Sequence, residues 1–84
     1  MRFTIIWSDN AYENLAAIYL AVGDAPTLDY AIKRIEKELQ VDPDTKGRTT
    51  SDGDRLYRYD PLLVFFESDP AAREVEIIQV SYTR

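Results

Sequence analysis

Arginine and tyrosine alternate in Arg55-Leu56-Tyr57-Arg58-Tyr59, and Lys46, Arg48, Tyr82 and Arg84 add further basic and aromatic groups. A guanidinium offers a planar fork of N–H donors that fits two phosphate oxygens, and a phenol ring can stack on an unpaired base. The chemistry open to such a set is binding and cleavage of a phosphodiester. Arg or Lys would stabilise the charge developing on a phosphorane, and the acid or base would come from Tyr, Lys, Arg or a carboxylate. Tyrosine is a poor base near neutral pH unless its pKa is lowered. In a strand, period two places Arg55, Tyr57 and Tyr59 on one face and Leu56 and Arg58 on the other. The competing reading is that Tyr57 or Tyr59 packs in the core while the arginines are solvated or paired with local acids.

Composition removes other chemistries. The 84 residues contain no histidine and no cysteine, so there is no imidazole base, no Ser-His or Cys-His nucleophile, no thiolate zinc site and no disulfide. Acids outnumber bases 15 to 10, a net charge of −5, which argues against a broad basic nucleic-acid coat and leaves only a local basic patch. The Asp42-Pro43-Asp44-Thr45-Lys46-Gly47 run superficially resembles the opening of a calcium loop. Lys46 stands where a ligand is needed, and Gly53 stands where a bidentate Glu is needed. Asp52 and Asp54 are better read as turn formers than as metal ligands. No cofactor or metal is expected. No apolar run is long enough to span a membrane and the N-terminal apolar segment is too short for a signal peptide, so a cytoplasmic protein is expected.

The elements that must position these residues follow from the pattern of apolar side chains. Phe3 to Trp7 reads as a strand, and Ser8 as the N-cap of a helix, with Trp7 and Tyr12 at the positions of a hydrophobic staple. Ala11, Leu15, Ile18, Tyr19 and Val22 recur at helical spacing and stop near Gly23. Leu28, Ala31, Ile32, Ile35 and Leu39 mark a second helix, ended by Pro43, with Lys33, Arg34, Glu36, Lys37 and Glu38 on its solvated face. Residues 42–54 are polar and read as one long loop. Three strands follow: Arg55 to Tyr59, Leu62 to Glu67 and Glu74 to about Tyr82. In the last, Val75 and Ile77 point one way while Ile78, Val80 and Tyr82 point the other, which signals a β-bulge or burial on both faces. The expectation is a single α+β domain over residues 1–84, ordered strand-helix-helix-strand-strand-strand. Its sheet should be mainly antiparallel, with a two-helix hairpin packed on one face.

This order resembles the RelE/ParE superfamily of toxins from type II toxin–antitoxin systems. The landmarks are Trp7-Ser8 before an Ala/Leu helix, Leu39, Asp42-Pro43 and Gly47 after the second helix, and the basic strand Arg55 to Tyr59. They continue through Pro61-Leu62, Val64 and Phe66 to Val75, Ile77 and Val80. The resemblance implies either a ribosome-dependent endoribonuclease that cuts mRNA, as in RelE-like members, or a DNA gyrase poison, as in ParE-like members. It implies a cognate antitoxin as partner in both cases, with the ribosome and mRNA, or gyrase, as targets. Carried over residue by residue, it makes Arg55, Arg58 and Tyr82 the catalytic candidates and, more loosely, Arg48 and Arg84 RNA-binding ones, to which the basic set adds Lys46. The acidic balance is unlike that of basic toxins and keeps a third reading open, a non-catalytic binding module on the same fold.

Overall fold

The computed structural model describes residues 2–83, so Arg84 lies outside the described residues. The chain forms β1 (Thr4–Trp7), α1 (Asp9–Val22), α2 (Ala25–Leu39), a 3-10 turn (Pro43–Thr45), β2 (Arg48–Thr49), β3 (Arg55–Tyr59), β4 (Leu62–Asp69) and β5 (Glu74–Tyr82). The five strands make one sheet in the order β1-β5-β4-β3-β2, antiparallel except where β1 runs parallel to β5. This is the expected α+β architecture. The difference lies in the polar stretch 42–54, which was expected to be loop throughout. It contains the 3-10 turn and the short edge strand β2, because side-chain bonds from Arg55 hold it against β3.

Both helices cover one face of the sheet. Leu28, Ala31, Ile35 and Leu39 of α2, with Ala11 of α1, meet Leu62, Val64 and Phe66 of β4 and Val75, Ile77 and Val80 of β5 in a single buried core. α1 adds Leu15, Ile18, Tyr19 and Val22 as partly buried neighbours of that core, matching the stripe read from the spacing. The link between the helices is two residues long. Gly23 takes a left-handed φ of 71° and its N–H donates to Tyr19 O, and Asp24 caps α2 by accepting from Thr27 N. Across this turn the Tyr19 hydroxyl donates to Asp29.

The phase change in the last strand is a bulge. Phe66 pairs with Ile77 but Phe65 pairs with Gln79, so Ile78 is an extra residue on β5. The start of α1 takes up the displaced backbone groups. Ser8 Oγ and Asn10 Nδ2 donate to the Ile78 carbonyl at 3.1 and 3.0 Å, and Val80 N donates to Asn14 Oδ1 at 3.1 Å. Ser8 Oγ also accepts from Ala11 N at 3.1 Å, so one hydroxyl caps α1 and satisfies the bulge. Trp7 and Tyr12 rings lie 6.4 Å apart, the geometry of the expected staple, and Trp7 Nε1 donates to Glu36 Oε2 at 2.8 Å.

Ser8→Ala should lower stability by about 1–2 kcal/mol in urea unfolding, the cost of a lost N-cap, with Asn10 still serving Ile78. Tyr19 titrates abnormally: burial, the Asp29 hydrogen bond and the Asp29 charge raise its pKa from 10.0 to about 12. Its neutral form is favoured by folding, so this contribution is intact below pH 10 and is lost as pH rises through 12. Tyr19→Phe should therefore flatten the fall of Tm across that alkaline window; an unchanged profile would show that Tyr19 is not coupled to folding.

Candidate site on the open face of the sheet

Cross-strand pairing assigns each candidate to a face. Arg55, Tyr57 and Tyr59 stand opposite Phe66, Val64 and Leu62, and Tyr82 also stands opposite Leu62, so all four lie on the helix-covered side. Leu56 and Arg58 stand opposite Phe65 and Leu63 and lie on the open side, where Arg48 joins them through its pairing with Leu56. The catalytic candidates are thus divided, with Arg58 on one face and Arg55 and Tyr82 on the other. Period two separated Arg55 from Arg58; the side of Tyr82 depended on the bulge.

On the open side, Gly47, Arg48, Leu56, Arg58, Leu63 and Thr83 line a shallow cleft of about 410 Å³. Its floor is the pair Leu56 and Leu63, and its charge comes from the two arginines. Arg58 Nε donates to Asp60 Oδ1 at 2.7 Å, with both side chains well exposed (60% and 73%). A pair this exposed is worth little, so Arg58 can exchange Asp60 for another anion at small cost. Among the described residues Arg48 is exposed and has no ion-pair or hydrogen-bond partner through its side chain.

Arg55 does different work. Its Nε donates to Lys46 O at 3.0 Å, Nη1 to Thr49 Oγ1 at 2.9 Å and Nη2 to Gly47 O at 3.3 Å. Each of its three guanidinium nitrogens is engaged in folding the 46–49 segment onto β3, and it thereby sets where Arg48 stands. Gly47 makes that close approach possible. It has a φ of +63°, and a Cβ there would sit 1.9 Å from Leu56 O. Lys46 is directed elsewhere, its Nζ donating to Val41 O at 2.9 Å.

The tyrosines of β3 are packing residues with raised pKa values. For Tyr57 the main cause is burial, with Glu38 adding to it. For Tyr59 it is first a hydrogen bond with Tyr30, then burial. Arg34 lies 5.9 Å from the Tyr59 ring centroid, a cation–π contact, and also pairs with Glu38 at 3.3 Å. Both shifts move these phenols away from use as bases near neutrality. Spacing alone did not reveal Thr83, which reaches the cleft because its N–H and hydroxyl are bonded to Pro61 O at 2.8 and 3.2 Å.

The opposite corner of the same face is acidic. Ile6, Glu67, Ser68, Asp69, Pro70, Glu74 and Glu76 line a cleft of about 540 Å³. Among the described residues no cluster of His, Cys, Asp or Glu has the arrangement of a metal site, and no helix is long and apolar enough to cross a membrane.

Arg55→Lys keeps the charge but loses the three-point fork. Amide exchange across residues 46–49 should then accelerate by at least about tenfold, the equivalent of about 1.4 kcal/mol lost from one charged hydrogen-bond set, while β4 and β5 amides stay protected. Equal acceleration throughout the sheet would show that Arg55 supports the whole fold rather than the β2 segment.

No family model and no curated protein matches the sequence. Solved structures do. A chain of the toxin–antitoxin complex RelBE2 from Mycobacterium tuberculosis superposes with a TM-score of 0.81 at 14% identity, covering 98% of this chain and 92% of that one. A chain of the chromosomal ParDE TA system from P. aeruginosa gives a TM-score of 0.72 at 20% identity, covering 99% of this chain and 98% of that one. Coverage is nearly complete in both directions, and the likeness at these identities is one of architecture: the chain shares its fold with a chain of the RelBE2 complex and a chain of the ParDE system.

Proposed function

We propose that this chain is the toxin of a type II toxin–antitoxin system, held inactive by a cognate antitoxin, and that it acts in the cytoplasm as a ribosome-dependent mRNA endoribonuclease. The observation that carries the reading is the nearly complete two-way correspondence with chains of the RelBE2 and ParDE systems, joined to a pair of arginines on an open sheet face. Arg58 is the residue assigned to stabilise the phosphorane, since its present partner is exposed and exchangeable. Arg48 contacts a neighbouring phosphate, and Arg84 is a further phosphate-binding candidate, while Lys46 is held to Val41 O and takes no part. Arg55 is a positioning residue that holds the Arg48 segment in place. Tyr82 ends β5 on the helix-covered side, packed against the core, and is assigned no step beside Arg58.

One observation favours a second reading. Around Arg58 the open face carries Leu56, Leu63, Ser81 and Arg48, and the carboxylate bonded to Arg58 is its own neighbour Asp60. A face of arginines and leucines whose neighbouring carboxylate is tied to Arg58 is suited to binding without cleavage, as a gyrase inhibitor or a non-catalytic module would require.

Regulated expression without an antitoxin should arrest growth, with mRNA cleavage that needs translating ribosomes. Arg58→Ala should slow cleavage by about 10²–10³, the usual effect of removing one transition-state contact. Tyr82→Phe, on the other side of the sheet, should leave it unchanged. Arrest that survives Arg58→Ala, with intact mRNA and impaired supercoiling, would assign gyrase as the target. Normal growth under strong expression would leave the binding module.

A further inference from the structure

The open face of the sheet is divided by charge along its diagonal. Arg58 on β3 and Arg48 on β2 occupy one corner; Glu67 on β4 and Glu76 on β5 occupy the other. Strand spacing and rise put the charges of the two corners about 12–16 Å apart, beyond the screening length of about 8–10 Å at physiological salt, so they do not neutralise each other within one molecule. Between them lies an apolar strip of Leu56, Leu63 and Phe65, half-buried and covered by no element among the described residues.

The acidic corner is costly in isolation. Glu67 and Glu76 face each other directly across the β4–β5 ladder, a like-charge pair that disfavours the strand pairing. The ion pairs among the described residues are Arg34–Glu38 and Arg58–Asp60, so neither of these glutamates has a cation partner.

We propose that this face docks on a second copy of the chain. A two-fold axis lying in the interface, perpendicular to the line joining the corners, places Arg48 and Arg58 of each copy over Glu67 and Glu76 of the other. The same axis brings the two apolar strips together at the centre. The surface is thus complementary to itself, which is the condition for an isologous dimer. Charge complementarity around an apolar centre also matches the general anatomy of protein interfaces. Five strands about 4.8 Å apart and about 25 Å of strand length give a footprint of about 500 Å² before side-chain relief. That is at the small end for a specific interface, so a dimer dissociating in the micromolar range is expected. Such a dimer covers Arg48 and Arg58, so self-association and anion binding in the Arg48–Arg58 cleft exclude each other. The inference does not rest on the toxin reading.

Sedimentation equilibrium of the full chain alone, at low and high salt, is the test. The dimer should form at low salt, and its dissociation constant should rise by at least about tenfold at high salt, as screened charge pairs require. Arg48→Glu/Arg58→Glu reverses the charge of the basic corner, and Glu67→Arg/Glu76→Arg puts two cations into the acidic one beside Asp69 and Glu74. Each double variant should be monomeric with an unchanged far-ultraviolet spectrum, and an equimolar mixture of the two should restore a one-to-one dimer. A wild-type chain that stays monomeric at about 1 mM in low salt, well above a micromolar dissociation constant, overturns the proposal. So does a dimer indifferent to salt and to both pairs of substitutions, which would place the contact on another surface such as the outer side of α1, where Leu20 is exposed. If a double variant misfolds, the salt dependence of the wild type still decides.

Discussion

One displaced residue, Ile78, governs how this small domain closes. If β5 paired regularly throughout, each residue beyond Ile77 would turn to the opposite face, placing Gln79 in the core and Val80 and Tyr82 on the open side. Burying an unpaired amide costs roughly 1–3 kcal/mol and exposing a valine forfeits about 1.5 kcal/mol or more, so the regular strand is strongly disfavoured. The bulge avoids both losses but leaves the Ile78 carbonyl without its ladder partner. Ser8 and Asn10 supply the donors, and Ser8 uses the same hydroxyl to start α1. The irregularity in the last strand and the start of the first helix are thus one structure. They fix where α1 crosses β5 and hence which face of the sheet the helices cover.

Once that face is covered, period two decides the rest. Arg55, Tyr57 and Tyr59 are committed to the helix side, and Leu56 and Arg58 to the open side. The two arginines of β3 consequently do opposite jobs. Arg55 sits beside an edge segment with two carbonyls and a hydroxyl in reach, and three donors in a rigid fork can hold them together. Arg58 faces solvent beside Asp60 and keeps its guanidinium accessible. The Arg55 side chain shapes the segment that carries Arg48, so the covered face helps build the open one.

Much of this was legible before any coordinates. The element order, the N-cap at Ser8, the staple between Trp7 and Tyr12, the helical stripes and the phase change in β5 all follow from short-range spacing, and local geometry enforces them. The division of β3 between two faces was legible for the same reason. The polar stretch 42–54 was not, because the 3-10 turn and β2 depend on tertiary bonds from Arg55 and on the close approach at Gly47. Grouping Tyr82 with Arg58 failed for a related reason. The side on which Tyr82 emerges depends on how many residues the bulge inserts and on which strand β5 pairs with. Thr83 escaped notice because a bond to Pro61 places it, and nothing in its own sequence neighbourhood announces that contact.

Net charge misleads in this chain because the charges are sorted by position. The acids of the open face collect where β4, β5 and β1 meet, while Arg48 and Arg58 stand at the β2–β3 edge. An anion approaching the whole molecule is repelled by the net charge of −5, but one already oriented toward the β2–β3 edge meets a positive corner with an apolar floor. Such a layout selects for orientation more than for charge. It disfavours a long polyanion laid along the full diagonal, since one end would lie against Glu67 and Glu76. It favours a short anionic segment confined to the Arg48–Arg58 edge, or a partner whose own charges alternate across the same distance. The geometry of the face, more than its content of basic residues, therefore sets what can bind there.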